Sequence, residues 1–192
     1  MTEVIAPVKD IEAARELFDN RGHVAISGLF AATQASQALA EHHRLFGKTF
    51  SGHAGATANA RSPAAIAEAD LAIGDIYRSI ISGAENLGHD LRGTEGYKPR
   101  IQVVTLVKGN QGRRHTDADV LGDLTAVTNL EGRSRLEFWD PDDPSDMQAE
   151  GAYLIEPGVV AFMKGKEVPH RGVNESDGLR TGLVVSTEQI PR

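Results

Sequence analysis

The chain has 192 residues, a net charge of −7 and 40% hydrophobic residues, which suits one domain of ordinary size with one continuous core. It has no cysteine, which excludes disulfides, thiolate metal sites and a cysteine nucleophile. A metal would have to be held by carboxylates and by the seven histidines. An acidic chain repels phosphate backbones, so no nucleic-acid partner is expected. No apolar run reaches the roughly 18 residues of a membrane span, and the stretch from Met1 to Pro7 lacks the basic and apolar regions of a signal peptide. A cytoplasmic protein without a membrane partner is predicted.

The pattern is mostly helical over residues 1–100 and mostly strand over 101–192. Asp10 can cap a first helix carrying Ile11, Ala14, Leu17 and Phe18, stopped at Arg21-Gly22. Val24 and Ile26 alternate as a short strand. Thr33 can cap a second helix, with Leu39, His42, His43, Leu45 and Phe46, ending near Gly47. The stretch from Lys48 to Asn59 is small, polar and without period, and reads as a surface loop or a lid over a pocket. Ser62-Pro63 opens a third helix, whose buried stripe is Ile66, Ile73, Ile76, Tyr77, Ile80 and Ile81.

From Ile101 onward, runs rich in β-branched residues alternate with turns. Strands are predicted over 101–107, 124–128, 135–139, 153–155, 159–163 and 183–186. Gly109 to Gly112, Glu131-Gly132 and Pro157-Gly158 punctuate them, and Asp140 to Glu150 forms an acidic loop. Short strands separated by turns predict an antiparallel sandwich or barrel.

His115-Thr116-Asp117 sets an imidazole and a carboxylate two residues apart, on one face if the backbone is extended. His170, after Val168-Pro169, is the best third ligand. Two histidines and one carboxylate on one side of a metal suit non-haem Fe(II), which must bind substrate and O2 together. Arg180 follows at the start of the final strand, sharing a face with Gly182, Val184 and Ser186. Its guanidinium can pair bidentately with a carboxylate.

These pieces carry a resemblance. The stretch from about Ile101 to Thr187 resembles the catalytic core of the Fe(II)- and 2-oxoglutarate-dependent oxygenases, most of all their prolyl-hydroxylase-like branch. The matching pieces are Val107-Lys108-Gly109, His115-Thr116-Asp117, Glu131 to Trp139, Glu156 to Phe162, Pro169 to Val173, and Arg180. The resemblance implies an α+β fold: a double-stranded β-helix, or jelly roll, with the N-terminal helices packed against it. It implies an iron-binding dioxygenase holding Fe(II) through His115, Asp117 and His170. Arg180 would pair with the distal carboxylate of 2-oxoglutarate, with O2 as oxidant and succinate and CO2 released.

Two departures bear on the co-substrate. Many members carry Ser or Thr two residues after the arginine, where this chain has Gly182. Many also use a Tyr on an earlier strand, where Thr105 and Thr128 or Asn129 stand here. A threonine hydroxyl could replace that donor, and Ser186 lies further along the arginine's strand. Related halogenases carry Gly or Ala at the position of Asp117, so the resemblance speaks for hydroxylation rather than halogenation.

Other polar residues have bland readings beside functional ones. Trp139 reads as sheet packing or a pocket wall, and His53 as solvated or touching substrate. Arg135 and Arg171 read as ion pairs with acidic neighbours, or as carboxylate binders for the prime substrate. His42 and His43 point about 100° apart on their helix, so one packs and the other faces water. The favoured reading is a hydroxylase of a small molecule, such as an amino acid or a biosynthetic intermediate. The alternatives are a hydroxylase of a protein residue and a cupin-like metal-binding module without turnover.

Overall fold

Two β-sheets face each other, and helices cover the outer side of the larger one. The computed structural model describes residues 2–46, 56–61, 71–93, 95–109, 111–118, 121–143 and 147–190. In chain order the elements are β1 (Val4–Ile5), α1 (Ile11–Arg21), β2 (His23–Ser27), α2 (Ala32–Phe46), β3 (Ala56–Arg61), α3 (Leu71–Asn86), β4 (Tyr97–Leu106), β5 (Leu121–Glu131), β6 (Ser134–Phe138), β7 (Gly151–Ile155), β8 (Val159–Met163), β9 (His170–Asn174) and β10 (Arg180–Gln189). The larger sheet runs β2-β8-β5-β10-β4-β3 and the smaller β1-β7-β6-β9. Pairing is antiparallel except between β1 and β7. This is the double-stranded β-helix architecture that the sequence predicts.

The period-two alternation of the strands builds two cores. On β10, Leu183 and Val185 point to the helices, where they meet Phe18, Ile76 and Ile80; Val184 points between the sheets. Leu124, Ala126 and Leu130 of β5 likewise face the helices, and Val127 faces the interior between the sheets. Fully burying one such aliphatic or aromatic side chain contributes about 1.5–3 kcal/mol, so both faces of the larger sheet stabilise the fold.

The helical half follows its sequence signals with one correction. Asp10 caps α1 by accepting from the Ala13 N–H at 2.9 Å, and the helix ends at Gly22, whose N–H donates to Phe18 O. The cap of α2 is not Thr33, which lies inside the helix. There the Gln34 side chain accepts from the Ala31 N–H at 2.8 Å instead. Ile73, Ile76, Ile80 and Ile81 of α3 are buried as expected, with Tyr77 packed beside them. Ser62-Pro63, Ile66 and Gly47 lie outside the described residues.

The strands depart more. The expected loop or lid over residues 48–59 is partly strand: Ala56 to Arg61 pair with Leu106 to Ile101 of β4, and 48–55 lie outside the described residues. β4 begins at Tyr97 rather than Ile101, taking in Pro99 opposite Thr187. Trp139 falls just past β6. His170 is the first residue of β9.

One histidine sits in the core between the sheets. His23 stacks on Phe138 with ring centroids 4.0 Å apart and lies edge-on to Tyr153. Burial, helped by the charge of Arg21, pushes its pKa down to about 4 from the ordinary 6.5. The unfolded chain therefore binds a proton that the folded chain refuses between those values, and acid favours unfolding. Stability should fall as pH drops from about 6.5 to 4, by about 3 kcal/mol in all, at about 1.36 kcal/mol per pH unit. Urea midpoints across that range should fall less steeply for His23→Phe than for the parent chain. Equal slopes would show that His23 is not the group responsible.

Candidate metal centre

The first two candidate ligands sit on an irregular extended segment rather than a regular strand. Gln111 bridges to Val173, and His115 bridges to His170. From Gln111 to His115 is one step longer than from His170 to Val173, so an extra residue is accommodated as in a β-bulge, which re-aims side chains. The His115 N–H donates to His170 O at 3.0 Å, and the His170 N–H donates back to His115 O at 2.8 Å. The Asp117 N–H is held by Gly165 O at 2.8 Å. Backbone pairing thus brings the three side chains to one point, and their ligand atoms all lie within 4.8 Å of one another.

Each ligand is oriented by a second contact. His115 Nδ1 donates to Arg113 O at 2.8 Å and His170 Nδ1 to Val168 O at 3.0 Å. A carbonyl only accepts, so each Nδ1 carries the hydrogen and each Nε2 keeps its lone pair for a metal. His170 Nε2 lies 3.8 Å from Asp117 Oδ1. Thr125 of β5 donates to Asp117 Oδ2 at 2.6 Å, which leaves Oδ1 for the ion. Burial pulls the His170 imidazole below its ordinary pKa, and His115 adds to this. The neutral ring is the form that binds metal. Two imidazoles and one carboxylate fit a divalent transition metal such as Fe(II), with coordination positions to spare.

Asp117 also needs room. A Cβ on Gly165 would stand 1.8 Å from Asp117 Oδ2, so any side chain there would evict the carboxylate. Gly165→Ala should weaken Fe(II) binding by about 10–100-fold, the usual loss when a residue supporting a ligand is changed. Anaerobic Fe(II) titration measures this, and an unchanged affinity would show that Asp117 does not bind the ion.

A buried cation shares the interior between the sheets. Arg180 opens β10 and is 6% exposed. Its Nε donates to Asn129 Oδ1 of β5 at 2.7 Å. Burial alone pulls its pKa down to about 10, and among the described residues it has no carboxylate partner. Asn129, Gly182, Val184 and Ser186 lie on the same side as Arg180. Ser186 Oγ is buried without a hydrogen bond, beside Thr125 in the strand register.

No protein-family model matches this sequence, and no curated protein matches it. Solved structures do. A prolyl-4-hydroxylase from Pseudomonas putida is similar over 95% of this chain and 100% of its own, at 16% identity and a TM-score of 0.65. The 2-oxoglutarate complex of EvdO2 from Micromonospora carbonacea covers 100% of this chain and 95% of its own, at 16% identity and a TM-score of 0.64. The α-ketoglutarate-dependent epimerase SnoN from nogalamycin biosynthesis covers 93% of this chain and 83% of its own, at 17% identity and a TM-score of 0.64. The chain has the fold of the 2-oxoglutarate and iron oxygenases.

Within this oxygenase fold the remaining candidates divide. Thr105 and Thr128 share a strand face with residues of the helix-side core, Val103 on β4 and Ala126 and Leu130 on β5, so both face away from Arg180. Thr105 contacts Thr181, and Thr128 donates to Val159 O at 2.6 Å. Neither supplies the expected co-substrate hydroxyl. Arg135 and Arg171 are both ion-paired with Glu137, and Arg135 also with Glu175 at 3.0 Å. Trp139 meets the guanidinium groups of Arg114 and Arg171, at 5.2 and 5.4 Å from its ring centroid. His53 lies outside the described residues. His42 is buried and His43 is not, while His89 meets Phe18 edge-on.

Sequence reasoning missed Thr125, Gly165 and Glu137. The first two serve Asp117 from separate strands and loops, and only the tertiary register brings them there. No described helix is long and apolar enough to cross a membrane.

Proposed function

We propose that the chain is an Fe(II)- and 2-oxoglutarate-dependent oxygenase in which His115, Asp117 and His170 hold the iron and Arg180 anchors the far carboxylate of 2-oxoglutarate. The observation that carries this reading is a preformed ligand triad together with a buried cation that has no carboxylate partner among the described residues. Iron, when bound, supplies the activation of O2. His115 and His170 offer Nε2, and Asp117 offers Oδ1 under the hold of Thr125. Arg180 binds and orients a dicarboxylate through the guanidinium donors that Asn129 leaves free.

The prime substrate we favour is a small molecule, hydroxylated with release of succinate and CO2. The exposed side of the centre is at His115, with His170 at its buried end, so a compact substrate would enter past His115. A second reading, hydroxylation of a protein residue, has its support in the fold: a similar structure is a prolyl hydroxylase in complex with a peptide fragment, at 12% identity and a TM-score of 0.65. We take residues 1–192 as one catalytic unit, because β2 and β3 from its first half complete the sheet that carries Arg180, and we keep the cytoplasmic location that the sequence predicts.

Anaerobic Fe(II) with 2-oxoglutarate tests the reading first. A weak visible charge-transfer band is expected, and its absence would leave a cupin-like metal-binding module. Small molecules and peptides can then be screened for stimulated succinate formation. Stimulation by peptides alone would replace the small-molecule reading with the second.

A further inference from the structure

Asn129 is wholly buried, and its side-chain amide has only one possible orientation. Its Nδ2 donates to Ile155 O at 2.7 Å and to Ser134 Oγ at 3.2 Å. Both N–H groups are thereby spent, and only Oδ1 remains to accept from Arg180 Nε at 2.7 Å. A single line of hydrogen bonds runs from β10 through β5 to β6 and β7, across both sheets. On its other side the guanidinium lies against bare backbone. A Cβ on Gly182 would stand 2.7 Å from Arg180 Nη2 and 2.9 Å from Cζ. The cation is wedged between an amide oxygen and a glycine, with Nε occupied and Nη1 and Nη2 left to donate.

The chemistry of the acceptor matters as much as its place. A carboxamide oxygen orients a guanidinium and leaves its charge uncompensated. A carboxylate in the same position would neutralise it, and the site would no longer favour an incoming anion. We infer that Asn129, seated against Gly182, is a positioning residue that holds Arg180 oriented yet without a counter-ion, and so makes the cavity select 2-oxo acids that carry a second carboxylate. This rests on the reading of Arg180 as the co-substrate anchor. It also explains why a glycine stands at position 182: the guanidinium occupies the space that a side chain there would take.

The test compares two ligands by calorimetry, anaerobically and with Fe(II). One is 2-oxoglutarate; the other is 2-oxopentanoate, of equal chain length but with a methyl in place of the far carboxylate. The parent chain should prefer 2-oxoglutarate by about 100-fold or more, the scale of a buried charge pair. In Asn129→Asp the preference should fall to about tenfold or less, with the affinities for 2-oxopentanoate and Fe(II) unchanged, since the new charge acts only on the far carboxylate. Gly182→Ala should weaken 2-oxoglutarate binding alone by displacing the guanidinium, and it leaves the hydrogen bonds of Asn129 to Ser134 and Ile155 in place should Asn129→Asp fail to fold. A parent-like preference in either folded variant overturns the inference. If the parent chain itself shows no preference and Arg180→Ala changes nothing, the failure lies instead in the reading of Arg180 as the anchor.

Discussion

His170→Ala should abolish Fe(II)-dependent conversion of 2-oxoglutarate to succinate while the double-stranded β-helix stays folded. A four-ligand zinc site contributes about 10–16 kcal/mol, or roughly 3 kcal/mol for each ligand. Losing one ligand of three should then cost about a hundredfold or more in metal affinity, at about 1.4 kcal/mol per tenfold. The fold should survive because the bridge between residues 115 and 170 is made by backbone groups, which alanine keeps. His115→Ala and Asp117→Ala should behave alike. Fe(II) affinity, succinate yield and circular dichroism together check this. A variant that stays folded and turns over like the parent chain would remove that residue from the ligand set.

Arg180→Ala should weaken 2-oxoglutarate binding by roughly two to three and a half orders of magnitude. Removing one partner of a buried charge pair costs about 3–5 kcal/mol, and each tenfold change is about 1.4 kcal/mol. Fe(II) affinity should not change, because the arginine is not a ligand. Arg180→Lys should restore only part of the binding, since an ammonium cannot offer two parallel donors and one for Asn129 in the same plane. Binding of 2-oxoglutarate at parent-chain strength would require another anchor. Arg135 and Arg171 already share Glu137 as an ion-pair partner.

What could be read from the sequence follows from the range of the interactions involved. The spacing of His115 and Asp117 is local, and a guanidinium opening the last strand is a local signal as well. The stripe of Ile73, Ile76, Ile80 and Ile81 is periodic over one helix. All of these were legible. β3 was not, because Ala56 to Arg61 has no apolar alternation and becomes a strand only through its pairing with β4. Thr105 and Thr128 share period two with Ile101, Val103, Leu124 and Ala126, and that this face meets the helices rather than Arg180 is set by tertiary packing, which no local pattern carries. Arg135 and Arg171 looked available because Glu137, their common partner, was read only as an alternating strand residue. The orienting hydrogen bonds of the ligands, from Thr125 and to the carbonyls of Arg113 and Val168, depend on distances that spacing alone does not encode.

The backbone pairing that assembles the triad bears on which metal the protein carries. Its ligands are aligned by carbonyls and by the His115–His170 bridge, so the ion is not required to gather them, and folding exerts no choice among ions. Affinity then follows the intrinsic order of divalent first-row metals for nitrogen and oxygen donors, which rises from manganese through iron, cobalt and nickel to copper. At equal free concentrations nickel or cobalt would displace iron. On the proposed reading, iron occupancy would be governed by the supply of free metals around the protein, and material prepared on a nickel resin or in zinc-rich medium would carry another ion in a correctly folded site.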